Sequence, residues 1–465
     1  MIVDHMTTVG NIARHCLGTI TCGDPSRIIE TITTDSRELK GKNFFIPLVG
    51  EKFDGHDFIR PLSENKRIES FLTMKEGYTH IAAGNNIAEI RCADTLKALG
   101  EIAGHHRETV APQVIAITGT NGKTTTKDLV YSVLSGQRQC LKSQKNYNNE
   151  IGVPMTLLGL KESHEFAIIE MGMNHAGELE RLSRIARPDL ALITNVGEGH
   201  LEFLGSMENV ARAKSEIIRG MEKGAKLLVN GDMDFLHIIL QEAHRKGLSV
   251  KTFGLSPSAD IRLDSYKLFS DRTSVVFEGA EITVPLYGIH NAYNILAAIA
   301  VVRVYGVETA AIREALAGFA GAEGRSRIID RGFLVIDDTY NSNPLSLTSA
   351  LRSAKEIFPR RRKIAVLSDM KELGDFAKKY HTECGRAVVE NGFDMLLVWG
   401  DLAKCYCDGA AAAGLNGNKC VQFNTKKELS RFLKSTIDEN DVVLIKGSRS
   451  MKMDDVVHAL TEREE

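Results

Sequence analysis

The segment Thr118-Gly119-Thr120-Asn121-Gly122-Lys123-Thr124-Thr125 carries the strongest chemical signal in the chain. It follows the apolar run 114–118 and opens a helix-like stretch, so it is a glycine-rich turn between a strand and a helix. Backbone N–H groups of such a turn, with the helix N-terminus, cradle phosphate oxygens; the lysine adds a point charge and the next hydroxyl can bind Mg²⁺. The general phosphate loop would place its first glycine at Ile117, so the match is imperfect. A plain glycine turn would not explain why strand, loop, Lys-Thr pair and helix fall in register.

Two further polar groups close the next apolar runs. Glu170 ends Ala167-Ile168-Ile169, and His200 follows 193–196 through Gly197-Glu198-Gly199. In an open parallel sheet ligands bind outside the carboxyl ends of the strands, so Glu170, His200 and the phosphate loop can share one crevice. A hard carboxylate suits Mg²⁺ beside phosphates. The plainer accounts are a solvated strand end for Glu170 and a hydrogen-bonded loop histidine for His200.

Lys214 breaks a pattern. Met207, Val210, Ala211, Ile217 and Ile218 form a three-four stripe whose missing member is position 214, so a lysine faces inward. Either it snorkels to the surface, or it reaches a polar site and needs a partner or a chemical modification, because burying an unpaired ammonium costs several kcal/mol, of order ~3–5. Gly288-Ile289-His290-Asn291-Ala292-Tyr293-Asn294 opens a long apolar helix expected over 291–305, where Asn291 could equally be a helix cap. Asp337-Asp338-Thr339-Tyr340-Asn341-Ser342-Asn343-Pro344 and Lys446-Gly447-Ser448-Arg449 end two later strands; turn chemistry accounts equally well for Asn-Ser-Asn-Pro.

The elements that must position these groups fall into three regions. Residues 1–112 are irregular and read as a small mixed α/β domain. From 113 to 321, strands at 114–118, 166–171, 190–196 and 225–230 alternate with helix-length segments, which predicts a parallel sheet, followed by a hairpin at 274–278 and 281–285. Gly318, Gly321 and Gly324 mark a linker into a region, 322–465, that repeats the alternation, with strands near 333–337, 364–367, 395–399 and 442–445. A second doubly wound, Rossmann-like domain is the natural reading.

Lys plus Arg is 58 against 60 for Asp plus Glu in 465 residues, a balance that gives no bulk electrostatic reason to expect nucleic acid or an anionic membrane as partner. The basic run Arg360-Arg361-Arg362-Lys363 reads as the solvated start of a strand. No apolar stretch approaches the roughly 20 residues of a membrane span, and the first residues lack a secretory pattern, so a cytoplasmic location and a monomer are the default expectations. The 8 cysteines contain no Cys-x-x-Cys and are expected to be reduced and mostly buried.

Assembled in order, these segments resemble the Mur ligase family of bacterial cell-wall synthesis. The resemblance also rests on Thr34-Asp35-Ser36-Arg37, Asp54-Gly55-His56, the segment 146–154 (Asn-Tyr-Asn-Asn-Glu-Ile-Gly-Val-Pro), Lys214-Ser215-Glu216-Ile217 and Gly324-Arg325, and it spans nearly the whole chain. It implies an N-terminal domain for the UDP end of the substrate, a central P-loop ATPase and a C-terminal domain that closes over the nucleotide. It also implies ATP and two Mg²⁺ ions. Phosphorylation of the free carboxylate of UDP-N-acetylmuramoyl-tripeptide (UDP-MurNAc-tripeptide) would be followed by attack of the amine of D-Ala-D-Ala on the acyl phosphate.

By that resemblance Gly119, Thr120, Asn121, Gly122, Lys123, Thr124 and Thr125 bind the phosphates. Lys123 neutralises the β/γ pair, Thr124 and Glu170 hold one Mg²⁺, and His200 with a carbamylated Lys214 holds the other. Asn294 would touch adenine, Asp338 the ribose, and Arg325 the γ-phosphate. Ser36 would meet the uridine end, Asn148 or Asn149 the reacting end, and Tyr340, Asn341 and Asn343 the substrate. Within the family, the third-residue ligase typically carries Asp-Asn-Pro-Arg where this chain has Ser368-Asp369-Met370-Lys371-Glu372-Leu373-Gly374, which favours the dipeptide-adding branch. The alternatives are a Mur-type ligase adding one amino acid at an earlier step, a P-loop phosphotransferase or ATPase that makes no amide bond, and a non-catalytic nucleotide-binding module.

Overall fold

The computed structural model describes residues 2–39, 41–321 and 324–461, arranged around four sheets. The first has six strands in the order Ile2–Thr8, Ile28–Thr33, Asn43–Phe45, Ser70–Thr73, Ala88–Arg91 and Thr19–Cys22. Its four central strands run parallel and its two edge strands antiparallel, which is the expected mixed α/β unit. Helix Thr95–Val110 follows, capped by the Asp94 carboxylate, which accepts from the backbone N–H of Leu96 (2.9 Å) and Lys97 (3.0 Å). It buries Ala98, Leu99, Ile102 and Ala103, and Gly100 lies against Ile185, where a Cβ would come within 2.8 Å of that side chain. This helix therefore joins the N-terminal sheet to the central region.

The second sheet is wholly parallel, in the order Ile261–Arg262, Ser249–Gly254, Lys226–Asn230, Leu190–Ile193, Gln113–Thr118, Phe166–Glu170 and Cys140–Lys142. All four strands expected here are present. Their inner members are apolar on both faces (Ile115, Ala116 and Ile117; Ala167, Ile168 and Ile169) because helices cover both sides of a parallel sheet. The expected hairpin is Thr273–Phe277 with Ala280–Val284, and Ser265–Leu268 extends it to a small antiparallel sheet. Helix Ile289–Val304 starts two residues before its expected position and is buried nearly all round, wedged between the two sheets.

The last sheet follows the order Arg327–Asp330, Leu334–Asp338, Val442–Lys446, Lys363–Ser368, Met395–Trp399 and Cys420–Phe423, parallel except for its first strand. The expected linker spans Gly318, Gly321 and Gly324, although residues 322–323 lie outside the described residues.

Two expectations need correction. Lys363 is not solvated: it is buried, and its ammonium donates to the carbonyls of Phe358 (3.2 Å) and Arg361 (2.8 Å), closing the preceding turn. Nor are all cysteines reduced. Helix Ala403–Ala412 lies against strand Cys420–Phe423, bringing Cys407 and Cys420 to 5.8 Å between Cα atoms, and the two form a disulfide. Of the free cysteines only Cys16 and Cys384 are buried.

Candidate active site

The phosphate loop is shaped by the neighbouring strand end. Gly119 has φ +148°, and a Cβ there would stand 1.9 Å from Thr194 Oγ1; Gly122 has φ +82°, and a Cβ would stand 2.2 Å from Asn294 Oδ1. Neither position tolerates a side chain. Thr194 donates to the Asn121 carbonyl (2.6 Å), Asn121 N–H donates to Asn195 Oδ1 (2.9 Å), and Thr120 Oγ1 accepts from Gly197 N (2.9 Å). Lys123 opens helix Lys123–Leu134, and its ammonium donates to the carbonyls of Gly119 (2.7 Å) and Thr120 (3.1 Å). Burial lowers its pKa, partly opposed by Glu170. Thr124 and Thr125 line the same cavity.

Glu170 is only 2 % exposed, which removes the solvated-strand-end reading. Its Oε1 accepts from Asn148 Nδ2 (2.8 Å), its backbone N–H donates to Ser143 Oγ (3.0 Å), and Lys127 Nζ lies 3.6 Å from Oε2. Oε2 is buried with no hydrogen-bond partner among the described residues. A buried carboxylate oxygen that accepts no hydrogen bond, in a cavity that also presents the Thr124 hydroxyl, offers the oxygen donors a hard, water-retaining Mg²⁺ prefers, so these residues fit one such ion.

Lys214 lies on helix Met207–Ser215, whose start Ser206 caps by accepting from Asn209 N (3.2 Å). It faces inward as its stripe predicts and is 1 % exposed, so it does not snorkel. Burial, and then the Lys123 ammonium, push its pKa well down, with no carboxylate to raise it. Both effects favour the uncharged amine over the ammonium. His200 has φ +60° at the start of Leu201–Leu204, and its Nδ1 lies 2.7 Å from Glu372 Oε2 without hydrogen-bond geometry. Burial lowers the His200 pKa, and Glu372 opposes it. No group of three or more His, Cys, Asp or Glu that could hold a metal ion occurs among the described residues.

The third domain completes the cavity, whose volume is about 1080 Å³. Arg325 stacks on the Tyr340 ring at 3.9 Å and donates to Thr124 Oγ1 (3.2 Å). Asn343 caps helix Pro344–Ile357 in a capping box with Ser346, and its amide pairs reciprocally with that of Asn121 (3.1 and 2.9 Å). Turn chemistry and contact with the loop are thus both true of Asn343. Asp338 is ion-paired to Lys446 and accepts from Ser326 N and Oγ (each 3.1 Å). Burial would raise its pKa, but Lys446 and His290 outweigh it. Asn341 lines the cavity, and its carbonyl accepts from Lys446 Nζ (2.9 Å).

Asn294 borders this cavity but spends its amide on Asn291 (2.9 Å) and Thr126 (3.4 Å), bracing Gly122. Asn291 is not the helix cap: Gly288 holds that place, and Asn291 donates to the Tyr287 carbonyl (2.7 Å). Asn149 also lines the cavity, with its Oδ1 accepting from Gly152 N (2.9 Å). Ser36 stands apart, in the turn that follows strand Ile28–Thr33, and does not line the cavity. Sequence reasoning passed over Thr194, Lys127 and Glu372. Lys127 was findable, since it occupies the buried stripe with Val130 and Leu134 just as Lys214 occupies its own.

A parallel-sheet phosphate loop whose cavity is closed by a Rossmann-like domain is the arrangement of an ATP-using ligase, and the chain belongs to the Mur ligase family. Residues 117–302 match the Mur ligase middle domain, and 324–449 match the Mur ligase, glutamate ligase domain. The chain is 35% identical over 460 residues, covering 98% of both chains, to the UDP-N-acetylmuramoyl-tripeptide–D-alanyl-D-alanine ligase of Bacillus subtilis (strain 168). Among solved structures it is similar to MurF from Acinetobacter baumannii (TM-score 0.90, 30% identity, 99% of each chain covered). It also resembles MurF ligase from Thermotoga maritima in complex with ADP (TM-score 0.80, 25% identity, 92% of this chain and 96% of that one).

Proposed function

We propose that this chain is the ATP-dependent ligase that joins D-Ala-D-Ala to UDP-MurNAc-tripeptide. The observation that carries the reading is the convergence, in one cavity, of the phosphate loop, Glu170, His200 and Lys214 with Arg325 from the C-terminal domain. Full-length similarity to ligases of that name supports the choice of substrates. We assign the domains to 1–112, 113–321 and 322–465, binding the UDP end, ATP and the amine respectively. A cytoplasmic monomer fits this role. Among the described residues no helix is long and apolar enough to cross a membrane.

Phosphoryl transfer requires in-line positioning and charge neutralisation more than covalent help. The loop N–H groups and Lys123 hold the β/γ-phosphates while a substrate carboxylate oxygen attacks the γ-phosphorus and ADP departs. Arg325 lies at the loop to take up charge on the transferring group, with Tyr340 supporting its guanidinium. The amine nitrogen of D-Ala-D-Ala then attacks the acyl carbon, phosphate leaves, and the amine gives up a proton. Mg²⁺, when bound, supplies charge neutralisation, and Thr124, Glu170, His200 and Lys214 are the residues that would hold it. For Lys214 we propose carbamylation: its neutral amine adds to CO₂ and releases a proton, which replaces a buried base with an acidic ligand. Ser36 is assigned to the uridine, Asn148 and Asn149 to the reacting end, Asn294 and Asp338 to the nucleoside, and Tyr340, Asn341 and Asn343 to the substrate side.

The test is phosphate release from ATP with UDP-MurNAc-tripeptide, comparing D-Ala-D-Ala, single amino acids and no amine. Release that requires D-Ala-D-Ala, with a pentapeptide product by mass, is expected. Release driven by a single amino acid would move the enzyme to an earlier ligation, and amine-independent release would make it an ATPase.

A further inference from the structure

Glu372 has no part in the mechanism above. It lies between strand Lys363–Ser368 and helix Ala377–Glu390, in a segment that the C-terminal domain holds from within. The buried Asp369 carboxylate accepts from the backbone N–H of Asp401 (3.1 Å) and Leu402 (3.0 Å). Met370 N–H donates to Nε2 of the buried His381 (3.0 Å), and Lys371 N–H donates to Ser448 Oγ (2.8 Å). Immediately after these anchors Glu372 adopts φ +64°, a left-handed conformation that a non-glycine residue keeps only where its surroundings over-determine it.

That backbone turn sends the side chain out of its own domain to Nδ1 of His200, 2.7 Å away. The docking is specific in the main chain too. Glu202 N–H donates to the Glu372 carbonyl (3.0 Å), and Gly374 sits so close that a Cβ would stand 2.9 Å from Glu202 Cα. The Glu202–Glu372 main-chain contact holds this segment in place without using the Glu372 carboxylate, which is left to face His200. A carboxylate packed against one ring nitrogen biases the orientation of the imidazole through its charge and its bulk.

We propose that Glu372 is a positioning residue of the ligase site, delivered by the C-terminal domain, that holds the His200 imidazole through Nδ1 and leaves Nε2 to serve the reacting groups. The ring is thus set only when the domains are docked. This deepens the ligase reading and rests on it.

The test uses full-length Glu372→Ala and Glu372→Gln, both of which keep the Glu202–Glu372 backbone hydrogen bond. In steady-state ligation, Glu372→Ala should lower kcat by roughly ten- to a hundredfold with the KM for ATP within about twofold of wild type. Glu372→Gln, whose isosteric amide keeps the contact with Nδ1 but not the charge, should lose less. Independently, in ¹⁵N-histidine-labelled protein without nucleotide, the His200 ring resonances, identified by their loss in His200→Gln, should move in Glu372→Ala. An unchanged kcat, a loss confined to KM, or identical His200 resonances in wild type and Glu372→Ala would overturn the proposal. If wild type shows no amine-dependent phosphate release, the ligase reading fails by itself, and the histidine spectrum still decides whether Glu372 orients the ring.

Discussion

Replacing Lys127 by methionine removes one member of an almost fully buried ion pair while keeping the volume of the side chain. The Lys127 and Glu170 side chains are 1 % and 3 % exposed, and Nζ stands 3.6 Å from Oε2. At that separation an effective dielectric of about 20 gives an attraction of about 4.6 kcal/mol, in line with the ~3–5 kcal/mol lost when one partner of a buried pair is removed. For a central domain of roughly 200 residues this corresponds to a fall in melting temperature of roughly 6–20 °C. Glu170→Gln alone should cost less, because Lys127 retains Asp128 at 3.6 Å and the new amide oxygen can still accept from Asn148. The double variant Lys127→Met/Glu170→Gln leaves no unpaired buried charge and should recover about half or more of the loss. Thermal unfolding of the four proteins by circular dichroism and calorimetry checks this. A Lys127→Met protein that melts with wild type, or a double variant as unstable as the sum of the singles, would refute the reasoning.

Other expectations follow from the same geometry. Gly119→Ala should abolish ATP binding measured by calorimetry while the protein remains folded, because its Cβ would overlap Thr194 Oγ1. In the N-terminal domain, burial would raise the Asp54 pKa, but hydrogen bonds from Lys75 and His56 prevail and bring it down to about 2. A depressed carboxyl pKa stabilises above the unfolded value of about 3.9 and is lost as pH falls through the folded one. Urea midpoints of wild type should therefore exceed those of Asp54→Asn at neutral pH, and the gap should close between about pH 4 and pH 2. Lys214→Ala should lose ligation, and a short-chain carboxylate should restore part of it where excess bicarbonate does not; full activity in the alanine variant would remove the carbamate.

Periodicity and punctuation made much of the architecture legible. Apolar runs such as 166–170 and 190–193 announce buried parallel strands because a strand covered on both faces has no polar alternation to hide. Strands with mixed exposure escaped, among them Ser249–Gly254, one strand in from the edge, and the edge strand Arg327–Asp330, because neither is a continuous apolar run. The disulfide escaped as well, since the spacing of Cys407 and Cys420 says nothing of the helix–strand contact that joins them.

Of the site, the sequence alone determined the phosphate loop, the inward-facing Lys214 and the carboxylate at the end of strand Phe166–Glu170, because each depends on local spacing: a turn that needs glycine, a helical stripe, a strand end. Only the tertiary structure decided that Asn121 meets Asn343, that Arg325 reaches Thr124, and that Glu372 stands behind His200. Those contacts join residues on different domains, where no period or short-range spacing links the partners and the docking of two separately folded sheets fixes which side chains meet.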